Sequence, residues 1–88
     1  PSLGTLFGAS ILHFAAFSNR ISICKLHIEN GHDINCVNRD FDTPLHIACK
    51  QNHVDLCIWL VQNGADIHRK NNNMVAPIDL IPSLEDYT

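Results

Sequence analysis

The chain has no C-x-x-C pair, no glycine-rich phosphate loop, no long apolar run and little positive charge. Each absence excludes something. The four cysteines, Cys24, Cys36, Cys49 and Cys57, are spread at intervals of twelve, thirteen and eight, whereas zinc sites usually pair their ligands at closer spacing. A small secreted disulfide scaffold is denser in cysteine and has a poorer core. The thiols are therefore expected to be free and mostly buried, in a reducing compartment. The four glycines, Gly4, Gly8, Gly31 and Gly64, are scattered and form no phosphate cradle. No apolar run approaches the roughly 18 residues of a membrane span. Six Lys and Arg against nine Asp and Glu leave a net charge of −3. That argues against a surface built for phosphate backbones, which needs a basic stripe.

What is present is a globular composition. Hydrophobic residues make up 45% of the 88 and charged residues 17%, too apolar for a disordered chain. The length fits one small domain or a piece of a larger one. The chain begins at Pro1 rather than Met and reads as part of a longer protein whose targeting information lies elsewhere.

The strongest pattern is an internal repeat. Laying Ser10–Asp42 over Thr43–Val75 without a gap aligns Leu12 with Leu45, His13 with His46, Ala15 with Ala48, Asn19 with Asn52 and Cys24 with Cys57. The same shift pairs Asn30 with Asn63, Gly31 with Gly64, Asp33 with Asp66, Ile34 with Ile67 and Asn38 with Asn71. A third register begins at Ala76-Pro77-Ile78-Asp79, one further period after Thr43-Pro44-Leu45-His46.

One unit has a physical reading. Thr43 before Pro44 suits a cap followed by proline in the first helical turn. Leu45, Ala48 and Cys49 recur at helical spacing. Asn52 stops that helix, since Asn tolerates the left-handed conformation. Leu56, Cys57, Leu60 and Val61 form a second apolar stripe, which Gly64 ends. The polar stretch from Ala65 to Val75 reads as an exposed loop or hairpin. Neither helix is long enough to be stable alone, so each needs a neighbouring unit to cover its apolar face.

The residues Thr43-Pro44-Leu45-His46-Ile47-Ala48-Cys49 and Asn63-Gly64-Ala65-Asp66-Ile67, at a 33-residue period, resemble the ankyrin repeat family. The resemblance covers roughly residues 5 to 81. It implies an all-α solenoid of helix-turn-helix units with short β-hairpin or loop fingers. The units are expected over 5–37, 38–70 and a partial third over 71–88. The helices are expected at about Ile11–Phe17, Ile21–Asn30, Pro44–Lys50, Val54–Gln62 and Pro77–Ile81. The implied function is non-catalytic protein–protein interaction through hairpin tips and a concave face. The competing expectation is a regulatory or substrate-recruiting arm of a larger enzyme, such as a ubiquitin ligase or kinase. A cytoplasmic or nuclear location goes with either, without nucleic acid or membrane insertion. Flanking repeats or domains of the parent protein are also expected.

By resemblance, the partner-contacting positions fall on Arg39, Asp40, Phe41 and Asp42 in one finger and on Asn72, Asn73, Met74 and Val75 in the next. Phe17, Ser18, Lys50 and Gln51 join them from the first-helix ends. The family favours glycine at the fingertip, and Gly8 keeps it. Phe41 and Met74 stand there instead, one period apart. They either pack on each other or form an exposed apolar ridge. Asn35 matches the asparagine that a cytosolic hydroxylase modifies in many relatives, although His27 stands where those substrates carry leucine.

Other departures carry expectations too. Ser10 replaces the first threonine and keeps a capping hydroxyl. Ala76 and Asp79 lose both hydroxyl and histidine in the third unit, and Pro82 interrupts its first helix. His27 occupies the place of Leu60, where a polar ring costs stability unless it is paired. Trp59, beside Leu60, is expected to pack. Cys24 and His27 make a C-x-x-H pair with no second pair to complete a metal site. Cys, His and Asp are all present, but nucleophilic catalysis needs them oriented in a pocket. The repeat accounts for them without one, so no enzyme, cofactor or metal is expected.

Overall fold

The computed structural model of the chain describes residues 11–88. The expected tip at Gly8, the cap at Ser10 and the start of the first unit lie outside the described residues. Residues 11–17 are helical and form α1. They are followed by α2 (Ile21–Glu29), α3 (Pro44–Lys50), α4 (Val54–Gln62) and α5 (Pro77–Leu80). A 3₁₀ helix over Pro82–Tyr87 completes the order. Among the described residues no strand forms.

The start of α3 shows why these residues form a helix here. The Thr43 hydroxyl accepts a hydrogen bond from the His46 N–H, and the His46 ring accepts one from the Thr43 N–H. Pro44 occupies the first turn, where a missing N–H costs nothing. In the third unit Ala76 offers no hydroxyl. Asp79 supplies half of the arrangement, its Oδ2 accepting from the Ala76 N–H at 2.9 Å.

Helix ends repeat from one unit to the next. Asn19 and Asn52 close the first helix of each pair with φ of 58° and 59°. Asn pays less than other non-glycine residues for this left-handed backbone. Gly31 and Gly64 end the second helices with φ of 89° and 103°, where a Cβ would be strained.

The buried core is continuous across the units. Leu12, Ala15, Ala16 and Cys24 join Leu45, Ala48, Cys49, Leu56, Cys57, Leu60 and Val61 in one cluster. Helix α3 packs on α4 and α5, and the 3₁₀ helix packs on α4 and α5. Pro82 does end α5, one residue earlier than expected. The chain then turns back, and Leu84 becomes fully buried in the core. Trp59 packs half-buried against the same cluster.

His27 is the exception to good packing. It is half-buried, with its ring edge-on to His32 at 4.9 Å between centroids. Its Nδ1 is buried and has no hydrogen-bond partner. An orphaned polar atom costs about 1–3 kcal/mol, and Leu60, its counterpart, is fully buried. His27→Leu should therefore raise the unfolding free energy by about 1 kcal/mol. A urea titration followed by circular dichroism would show it as a higher midpoint with an unchanged slope.

Candidate functional site

The expected fingers are two closed turns rather than paired strands. In the first, the Phe41 N–H donates to the Asn38 carbonyl at 3.1 Å and the Asn38 N–H to the Asp42 carbonyl at 3.1 Å. In the second, Met74 donates to Asn71 and Asn71 to Val75, both at 3.0 Å. The Asn38 side-chain oxygen accepts the N–H groups of Asp40 and Asp42 at 2.9 and 3.0 Å. Asn71 does the same for Asn73 and Val75 at the same distances. These carboxamides satisfy the N–H groups that a strand ladder would otherwise have used. The two turns are also tied to each other. The Asn72 N–H donates to the Asp40 carbonyl at 2.9 Å, and its side-chain amide to the Arg39 carbonyl at 3.1 Å.

Each turn is held against the first helix of the preceding unit. His13 Nε2–H on α1 donates to the Asp42 carbonyl at 2.7 Å. His46 Nε2–H on α3 donates to the Val75 carbonyl at 2.8 Å. Each turn is thereby fixed to a buried histidine of the preceding first helix.

At each tip an apolar residue sits in left-handed backbone. Phe41 has φ 61° and Met74 φ 62°. This conformation costs an L-residue about 1–2 kcal/mol relative to the right-handed one. Both side chains are open to solvent, Phe41 at 53% and Met74 at 68%.

The remaining expected contact residues divide. Phe17, Arg39, Asp40, Lys50, Gln51, Asn72 and Asn73 are exposed, and Ser18 and Val75 are half-buried. Asp42 must be corrected, because it is only 3% exposed and its carboxylate is already engaged. Its Oδ2 meets the Lys50 ammonium at 2.8 Å, and its Oδ1 accepts from the Asn71 side-chain amide at 2.8 Å. Burial pushes the Asp42 pKa up, but the Lys50 and Asn71 hydrogen bonds and the Lys50 charge outweigh it. The carboxyl is held below its ordinary value. Asp42 is a buried anchor of the turn.

Phe14 is a surface residue that the sequence reading passed over. It is 61% exposed, next to Phe17 at 55%. The signal was present in the helical spacing. Leu12, Ala15 and Ala16 carry the buried stripe, so Phe14 and Phe17, three residues apart, fall on the opposite face.

Asn35 bridges to the following unit. Its Oδ1 accepts the Asp66 N–H at 2.8 Å, and its Nδ2 donates to the Gly64 carbonyl at 3.3 Å. Among the described residues, no three His, Cys, Asp or Glu side chains converge as metal ligands. No helix of the described residues is long and apolar enough to cross a membrane. The four cysteines are free.

A family model described as ankyrin repeats (many copies) matches residues 12–61. No curated protein matches the chain.

Proposed function

The chain belongs to the ankyrin repeat family, and from that premise we propose that it binds a partner protein through its turn tips and first-helix faces. Ankyrin repeats are in general protein–protein interaction modules without catalysis. In this reading the units stack as a solenoid, over 5–37, 38–70 and 71–88. Phe41 and Met74 form the centre of the surface. Phe14, Phe17, Arg39, Asp40, Gln51, Asn72 and Asn73 surround it, and Ser18 and Val75 lie at its edge. Lys50 contributes its exposed stem while its ammonium stays on Asp42.

The observation that carries the proposal is the pair of tips. A scaffold position that favours glycine holds a large apolar residue twice, in phase, strained and exposed. Neither side chain is repaid by burial within the chain. Aromatic and methionine side chains ringed by polar groups match the composition of interface cores.

Affinity capture from cell extract, followed by direct binding to whatever is captured, tests it. The comparison is a Phe41→Gly/Met74→Gly variant. Glycine accepts the positive φ, so this variant should keep its circular dichroism spectrum and be as stable as the native chain, or up to about 1 kcal/mol more so. It should lose the partner. If it retains the partner at native affinity, the tips are not the contact surface.

A further inference from the structure

Cys49, near the end of α3, and Cys57, in α4, meet inside the second unit with their sulfurs 3.5 Å apart. This is direct contact between two thiols, with nothing between them. A disulfide requires an approach to about 2.05 Å, a further movement of roughly 1.5 Å. The two residues are eight apart, on helices that already pack together. Cys57 is fully buried, and Cys49 keeps 6% of its surface at the edge of the core.

The first unit supplies a built-in control. One period earlier, the same two positions hold Ala16 and Cys24. Cys24 is as deeply buried as Cys57, but its counterpart position carries no sulfur. Burial pushes the Cys24 thiol up to about 11, which leaves it unreactive. Burial, with a smaller contribution from Asp33, does the same to Cys36. In the second unit the thiols act on each other. The hydrogen bond between the two sulfurs raises Cys49, as burial also does, and lowers Cys57 against the effect of burial.

We propose that Cys49 and Cys57 form a dithiol site that a small peroxide converts reversibly to an intrachain disulfide joining α3 to α4. One sulfur, as thiolate, attacks a peroxide oxygen and the O–O bond breaks. Hydroxide leaves and takes up that thiol's proton as water, and the sulfur becomes a sulfenic acid. The second sulfur then attacks the first, and an S–S bond replaces the S–O bond. The departing hydroxide takes the second thiol's proton as a second water. Two thiols and one peroxide yield one disulfide and two waters. Sulfur is oxidised by two electrons and the peroxide is reduced. The link fixes the end of α3, where Lys50 and Gln51 lie, against α4.

The test uses the full chain, reduced, freed of reductant and exposed to hydrogen peroxide. It is then denatured in excess N-ethylmaleimide and weighed intact. The adduct count should fall from four to two, and dithiothreitol should restore it to four. Trypsin, which cuts after Lys50, should release one linked peptide pair, containing Cys49 and Cys57. Cys49→Ala reproduces the arrangement of the first unit and should keep all three remaining adducts under the same exposure. The proposal is overturned if the native chain keeps four adducts, if Cys24 or Cys36 enters the link, or if oxygen adds irreversibly to Cys57 without a link.

Discussion

Asp42→Ala is expected to lower the unfolding free energy by about 2–3 kcal/mol. The substitution removes a carboxylate that is nearly closed off from solvent and holds two partners at 2.8 Å. Asn71, itself buried, is left with an unsatisfied amide hydrogen. Lys50 is less affected, because its side chain is 41% exposed and water can replace the lost carboxylate. Set against a total stability of about 4–13 kcal/mol for a chain of this size, the loss is large. Lys50→Met should cost less, and the double variant should show a coupling of about 1 kcal/mol between the two sites. Urea denaturation of the four species measures it.

The same carboxylate sets a pH dependence. Its folded pKa lies below the ordinary aspartate value of 3.8. The unfolded state therefore takes up the proton more readily than the folded state. The stabilisation is complete above the ordinary value and is lost as pH falls through the lower folded one. Asp42→Asn should be flatter than the native chain over that acid limb and indistinguishable in slope near neutrality. An equal slope in both at low pH would remove Asp42 as the cause.

This network shows where a sequence reading stops. Helix positions were legible because local chemistry fixes them. Proline at a first turn, asparagine and glycine at helix ends, and apolar residues three and four apart leave few alternatives. The two fingertip positions, 41 and 74, were legible through the resemblance, since the family favours glycine there. Asp42 was not legible. It lies in a run of polar and charged residues, Asn38-Arg39-Asp40-Phe41-Asp42, and nothing local separates it from the exposed Asp40. What engages it is Lys50 at the end of the following helix and Asn71 in the following turn, and neither pairing can be read from the residues beside Asp42.

The choice between loop and hairpin stayed open for a related reason. The period marked where a finger must project, but not how its N–H groups would be satisfied. Asn38 and Asn71 decide that by folding their carboxamides back over the turn. Phe14 was missed for a different reason. Its exposure followed from helical spacing, but the resemblance places contact positions at the ends of the first helices, and Phe14 lies inside one.

His46→Ala is expected to cost about 3–4 kcal/mol, and His46→Asn about 1 kcal/mol less. His46 is completely buried and makes contacts at both ring nitrogens. A backbone N–H can only donate, so the Thr43 N–H at 3.0 Å fixes Nδ1 as an acceptor. The Thr43 hydroxyl, 2.9 Å from the same atom, also donates to it. The ring proton therefore resides on Nε2 and is directed at the Val75 carbonyl. One neutral tautomer thus caps α3 and pins the turn that carries Met74. Alanine removes both functions and leaves a cavity. Asparagine keeps an acceptor for the Thr43 N–H, much as Asp79 serves Ala76 in the third unit, but it is too short to reach Val75. The gap between the two variants measures the cap, and the residual loss in asparagine measures the tie to the turn. If the tie is what positions Met74, His46→Asn should weaken partner binding while retaining its helical circular dichroism. His27→Leu, on α2 and outside the proposed surface, should leave binding unchanged.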